Sequence, residues 1–162
     1  MARAAAILHQ AGVLAYRVVG DKLEVLLVTS RETARWIIPK GNIAAGSTPV
    51  QAAEQEALEE AGIKGVIVSS APLGLYNYFK KLPSGEARAA TVEVYLLRVT
   101  EQLKKWPERR ERRYAWLSTA EAAKFIEEPG VVPLLNRLAE IEDGLVHPPA
   151  SVSPERRSDP AG

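Results

Sequence analysis

The stretch that decides the fold is Gly41–Ile63, GNIAAGSTPVQAAEQEALEEAGI. Lys40 to Pro49 holds Gly41, Gly46, Ser47 and Thr48 and reads as a loop that ends in helix-capping residues. Val50 to Ala61 is then built of Ala, Glu, Gln and Leu, strong helix formers, and Gly62 supplies the stop. On that helix Glu56, Glu59 and Glu60 stand at i, i+3 and i+4. At about 100° per residue, Glu59 and Glu60 fall within about 60° of Glu56 on one face. Val50, Ala53, Ala57 and Ala61 share a neighbouring face suited to packing on a sheet. Like charges at these spacings cost about 0.2–0.5 kcal/mol per pair, and carboxylates late in a helix oppose its macrodipole. A bound divalent cation offsets that cost; plain solvation of an acidic face is the competing account. Pro39-Lys40-Gly41, just before, favours the cation. Glycine lets backbone approach a phosphate closely, and Lys40 sets a positive charge beside the carboxylates, a pairing suited to a pyrophosphate substrate.

Working outward, Ala11–Val19 and Leu23–Thr29 are β-rich runs joined by Gly20-Asp21-Lys22, a hairpin signal. Trp36-Ile37-Ile38 is a short strand stopped by Pro39. Val66–Lys81 is β-rich but interrupted by Pro72 and Gly74, so it reads as two strands or one bent strand. Ala87–Val99 is the clearest strand of the chain, and Arg113–Leu117 a short one. Ser118 with Glu121 forms a capping-box pattern before two helices, about Thr119–Glu127 and Val131–Glu142, punctuated by Pro129-Gly130. The order β-β-β-α-β-β-β-α-α implies an α/β fold, a mixed sheet with helices packed on it.

Composition sets the frame. With 162 residues, 46% hydrophobic and 25% charged, the chain suits one globular domain, placed at 1–145, with a Pro-, Ser- and charge-rich tail over 146–162 expected to be disordered. A formal charge of +1 argues against a partner held by bulk charge, nucleic acid above all. Cys is absent and the two His, His9 and His147, lie at opposite ends, so any metal is a hard ion held by carboxylates. No apolar run is long enough to span a bilayer and no targeting signal is evident, so a cytoplasmic setting is expected.

The Gly41–Ile63 stretch resembles the signature of the Nudix hydrolases: Gly, five residues, Glu, seven residues, Arg-Glu, apolar, any, Glu-Glu, any, Gly, apolar. Gly41, Glu56, Ala57, Glu59, Glu60, Gly62 and Ile63 fall in register, whereas Ser47 stands where the family has Glu and Gln55 where it has Arg. The strand order from about Ala5 to Leu138 resembles the family too. The resemblance implies an α/β/α sandwich and Mg²⁺- or Mn²⁺-dependent hydrolysis of a nucleoside diphosphate linked to another group. It makes Glu59 and Glu60 expected metal ligands, Glu56 a ligand or the base that activates water, and the Gly41 carbonyl a further ligand. Gln55 still hydrogen-bonds a carboxylate but brings neither charge nor a guanidinium fork. Ser47 reads as a helix cap. One Glu and one Arg are lost together, so a functional but retuned enzyme is expected.

Trp36-Ile37-Ile38-Pro39-Lys40-Gly41 resembles the entry to the signature in the diphosphoinositol polyphosphate and diadenosine polyphosphate hydrolases. Trp106-Pro107-Glu108, Arg112-Arg113 and Trp116 resemble a later segment of that group. Such substrates are densely anionic, and Lys40, Arg31, Arg35, Lys80 and Tyr78 are the expected substrate contacts. Lys81 and the Arg109–Arg113 run are further basic groups, the latter equally readable as solvated loop. Tyr76 and Tyr78 share one strand face, in packing or in stacking on an adenine. Trp36 and Trp116 read as sheet or core aromatics, Glu54 as the partner of a nearby cation, and Glu93 as an acidic residue added to the site from outside the signature. The leading function is hydrolysis of a pyrophosphate linkage in a diphosphoinositol polyphosphate or dinucleoside polyphosphate. The alternatives are RNA 5′-pyrophosphate removal, clearance of damaged nucleotides, and a nucleotide-binding sensor with little turnover.

Overall fold

A computed structural model describes residues 6–149; the expected tail falls beyond them except for its first residues. Strand β1 (Leu8–Val19) turns through Gly20-Asp21 into β2 (Lys22–Thr29), with Val19 opposite Lys22. β3 (Trp36–Ile37) pairs with β2, and β4 (Lys40–Asn42) with β1. Helix α1 (Pro49–Ala61) leads into β5 (Ile63–Ile67), β6 (Gly74–Lys81) and β7 (Ala87–Gln102). β8 (Tyr114–Leu117), α2 (Thr119–Phe125), a 3₁₀ turn (Pro129–Val131) and α3 (Val132–Val146) complete the order.

β7 organises the mixed sheet. β1 runs parallel along one edge, while β6 and β5 pair antiparallel with its first and second halves. Alternate residues feed two cores, as the period of two demands. Leu14, Tyr16, Val25, Leu27, Val92 and Val94 meet α3's Leu134, Leu135 and Leu138 on one face. Ala11, Val13, Ala15, Leu26, Tyr95 and Leu97 meet α1's Ala53, Ala57 and Ala61 on the other. This is the α/β/α sandwich. The small residues of α1 are what let the helix lie close to the sheet.

Both ends of α1 are set by local chemistry. Thr48, not Ser47, is the cap: its side chain accepts from the Gln51 amide while the Gln51 side chain accepts from the Thr48 amide. Pro49 at the first helical position makes the residue before it the cap. Gly62 ends the helix at φ 66°, and a Cβ there would come within 2.2 Å of the Trp106 ring. The end of β7 and the segment after it then satisfy the carbonyls that the helix leaves over. Gln102 Nε2 donates to Ala61 and Gly62, the Leu103 amide to Gly62, and the Glu108 amide to Glu59.

Three of the boundaries that differ from expectation have a plain physical cause. Lys40–Asn42 is a strand rather than loop, because it pairs with Gln10–Gly12 of β1. α2 stops at Phe125, since the Glu127 amide donates to the Trp36 carbonyl and the Trp36 amide to the Glu127 carboxylate. α3 runs on to Val146 because Leu145 and Val146 still pack against the core.

Thr48→Ala is expected to cost about 1 kcal/mol in urea denaturation. Gly62→Ala should cost more, roughly 1–2 kcal/mol for the left-handed backbone plus the displacement of Trp106. Equal or reversed costs would refute this account of the two caps.

Candidate active site

At the crossing of β4 and α1, the Glu56 carboxyl group lies against the Cα of Gly41. A Cβ there would meet the Glu56 carboxyl carbon at 2.3 Å, so only glycine leaves room for the carboxylate. One turn on, Glu60 accepts from the Lys40 amide at 3.3 Å and pairs with Arg112 Nη2 at 3.3 Å. Arg112, itself buried, also grips Glu108 at 2.8 Å and the Thr29 carbonyl at 2.9 Å.

Burial pushes both carboxyls upward. Glu60 rises to about 8, from burial first and then from Glu56, while Arg112 and Lys40 pull it down. Glu56 is raised by burial and by Glu59 and Glu108. Neighbouring acids that burial makes costly to ionise favour a cation beside them.

These residues line a cleft of about 590 Å³ that also gathers Lys40, Gly41, Arg31, Arg35, Tyr78, Lys80 and Lys81. Glu59 stands apart: it accepts from Gln55 Nε2 at 3.0 Å and faces an adjoining groove of about 850 Å³ with Ser47. Among the described residues no three acidic, His or Cys side chains are already gathered as a metal cluster. Lys40 is buried, its ammonium 2.9 Å from Glu128 and 5.0 Å from the Tyr78 ring centre. Tyr78 donates to Gln10 at 2.6 Å, and Gln10 in turn donates to Asn42. Arg31 reaches Glu111 at 3.1 Å and Glu108 at 3.8 Å.

Other residues fall elsewhere. Tyr76 is buried and donates to Glu128, so its ring is not open to a base. Of the Arg109–Arg113 run, only Arg112 lines the cleft; Arg109 and Arg113 lie over Trp106 and Trp36. Glu93 bonds Tyr95 rather than entering the cleft. The acids brought to the cleft from outside α1 are Glu32, which is exposed, and Glu108 and Glu128. Glu128 escaped sequence reasoning because Pro129-Gly130 reads as punctuation, and only the clip of Glu127 onto Trp36 carries it inward.

The NUDIX domain family model matches residues 8–138. The chain belongs to the Nudix family. It is similar to Nudix hydrolase 12, mitochondrial, of Arabidopsis thaliana, at 32% identity over 159 residues, covering 86% of this chain and 74% of that protein. It is also 35% identical over 107 residues to human diphosphoinositol polyphosphate phosphohydrolase 3-beta, covering 64% of this chain and 60% of that one. In fold it matches the Caenorhabditis elegans Ap4A hydrolase binary complex with a TM-score of 0.65 and 23% identity, over 85% of this chain and 99% of that one. It is therefore a Nudix hydrolase, of a family that generally uses divalent metals. The donor set suits such an ion: paired carboxylates and backbone oxygen at a glycine are hard ligands. Among the described residues no helix is long and apolar enough to cross a membrane.

A carboxyl whose folded pKa exceeds its unfolded value binds its proton more tightly when folded, so stability falls as pH rises. The Glu60 contribution is full below about 4.5 and lost by about 8. Melting of the metal-free Nudix domain against pH should therefore decline over that window, and Glu60→Gln should flatten the decline. An unchanged slope in the variant removes Glu60 as its source.

Proposed function

We propose that this Nudix hydrolase cleaves a pyrophosphate linkage in a diphosphoinositol polyphosphate or dinucleoside polyphosphate, using Mg²⁺ or Mn²⁺. The carrying observation is Glu56 set against Gly41 and Glu60 one turn on, inside a cleft rimmed by Arg31, Arg35, Lys80 and Lys81. Acid for a cation and base for an anionic chain lie side by side. The names of the human and nematode relatives fit that substrate range.

Glu56, Glu60 and the Gly41 carbonyl are the residues that would hold the cation, with Glu59 joining by release from Gln55. When bound, the ion supplies neutralisation of the diphosphate and Lewis acidity toward the attacked phosphorus. Arg112 fixes the orientation of Glu60 and supplies the guanidinium that Gln55 does not, though to a different carboxylate. Arg31, Arg35, Lys80 and Lys81 bind and align the phosphates. Glu56 is the candidate to take the proton from the attacking water, and the P–O–P bond breaks as the new P–O bond forms. A cytoplasmic setting is likewise proposed, against the mitochondrial names of the plant relatives; subcellular fractionation decides between them.

Phosphate release from diadenosine polyphosphates, inositol pyrophosphates and ADP-ribose, with and without Mg²⁺, tests the reading. Mg²⁺-dependent turnover of one of the first two classes is expected. Glu60→Gln and Glu59→Gln should each lower it on the order of 10²-fold or more. Arg112→Ala should lose about 10–100-fold with the fold intact. Turnover indifferent to Mg²⁺, or confined to ADP-ribose, sinks the proposal.

A further inference from the structure

The basic groups of the cleft are of two kinds. Arg31, Arg35 and Lys81 are exposed and Lys80 half-buried, and among the described residues Arg35, Lys80 and Lys81 carry no ion pair. Their charge is available to phosphate. Lys40 is different: its side chain is 8% exposed and its charge is met by Glu128, 7% exposed, at 2.9 Å. Tyr76 holds the same carboxylate oxygen at 3.1 Å, and the clip between Glu127 and Trp36 fixes the loop that carries it. The cleft therefore has a rim richer in cations than in acids, Glu32 being the exposed acid among them, and within it a Lys40–Glu128 pair whose charges cancel.

The other oxygen of Glu128, Oε1, is buried with no hydrogen-bond partner. An unpaired buried acceptor is costly, and what relieves it is a donor. A phosphate offers none and would bring negative charge against a carboxylate in a poorly screened place. A hydroxyl or amino group relieves it. Phe79, which lines the same cleft, stands 76% exposed and offers it an open apolar face.

We propose that the buried Lys40–Glu128 pair selects the substrate: it admits a nucleoside, with its hydroxyl and amino donors, and rejects a further phosphate. This rests on the pyrophosphohydrolase reading above and narrows it to dinucleoside polyphosphates. Glu128 discriminates by what it refuses as well as by what it accepts.

The test compares kcat/KM for diadenosine tetraphosphate and for a diphosphoinositol polyphosphate in the wild type and three variants. The wild type should favour the dinucleotide. Glu128→Gln leaves the Lys40 charge unopposed and should move the ratio about tenfold toward the inositol substrate. Lys40→Gln, which leaves Glu128 negative, should move it the opposite way and serves should the first variant not fold. The Lys40→Gln/Glu128→Gln double variant, neutral again, should restore a ratio near that of the wild type. A wild type that favours the inositol substrate overturns the proposal, as does a ratio unmoved by the single variants while both rates fall together. Calorimetric Kd ratios for non-hydrolysable analogues of the two ligands test the selection independently of turnover. Absence of metal-dependent hydrolysis by the wild type therefore counts against the underlying reaction, and an unshifted binding ratio against the selection alone.

Discussion

Two carboxylates one turn apart on a helix, drawn out of much of the solvent, are the constraint around which this protein is built. Left alone, such a pair repels itself and favours separation or protonation. Here neither side chain is free to leave. Glu56 is held between its helix and a strand that comes close only because Gly41 has no side chain, and Glu60 is held by a backbone amide and a buried guanidinium. The small residues of α1, the short β4 strand and the anchoring of Arg112 all serve that one arrangement. Strain of this kind persists only where the surroundings over-determine it.

Much of this was legible in the chain. Periodicity placed the helix, the hairpin and the long strand, and the spacing of Glu56, Glu59 and Glu60 announced a charged face that Pro39-Lys40-Gly41 turned from a solvated surface into a candidate cation site. What remained hidden was tertiary. Lys40–Asn42 has no strand signature of its own and becomes one only because β1 lies beside it. Lys40 reads as an available cation, and no local pattern reveals that a residue 88 positions later neutralises it. Equal spacing on a helix also failed to predict equal roles: Glu59 turns to Gln55, while its neighbour turns inward.

The replacement of the signature's Arg by Gln illustrates how charge missing from a motif is supplied from outside it. A helix-borne guanidinium and a loop-borne one are chemically alike, and Arg112 comes to the site from the loop between β7 and β8 with three contacts of its own. The charge lost within the motif is not lost from the cleft. Reading the motif by itself overstates the damage, because the relevant unit is the enclosed space and not the string of letters.

The loop bearing Glu108 and Arg112 hangs from the carboxyl end of α1, through amides that cap the Glu59 and Gly62 carbonyls and through Trp106 seated on Gly62. The helix that presents the acids thus also locates the base that steadies them. Such an active centre is not portable: grafting residues 41–63 onto another scaffold would transplant the carboxylates and leave behind their counterweight. Inheritance of the motif and of the loop after β7 must then run together, with changes in the length of one constrained by the other.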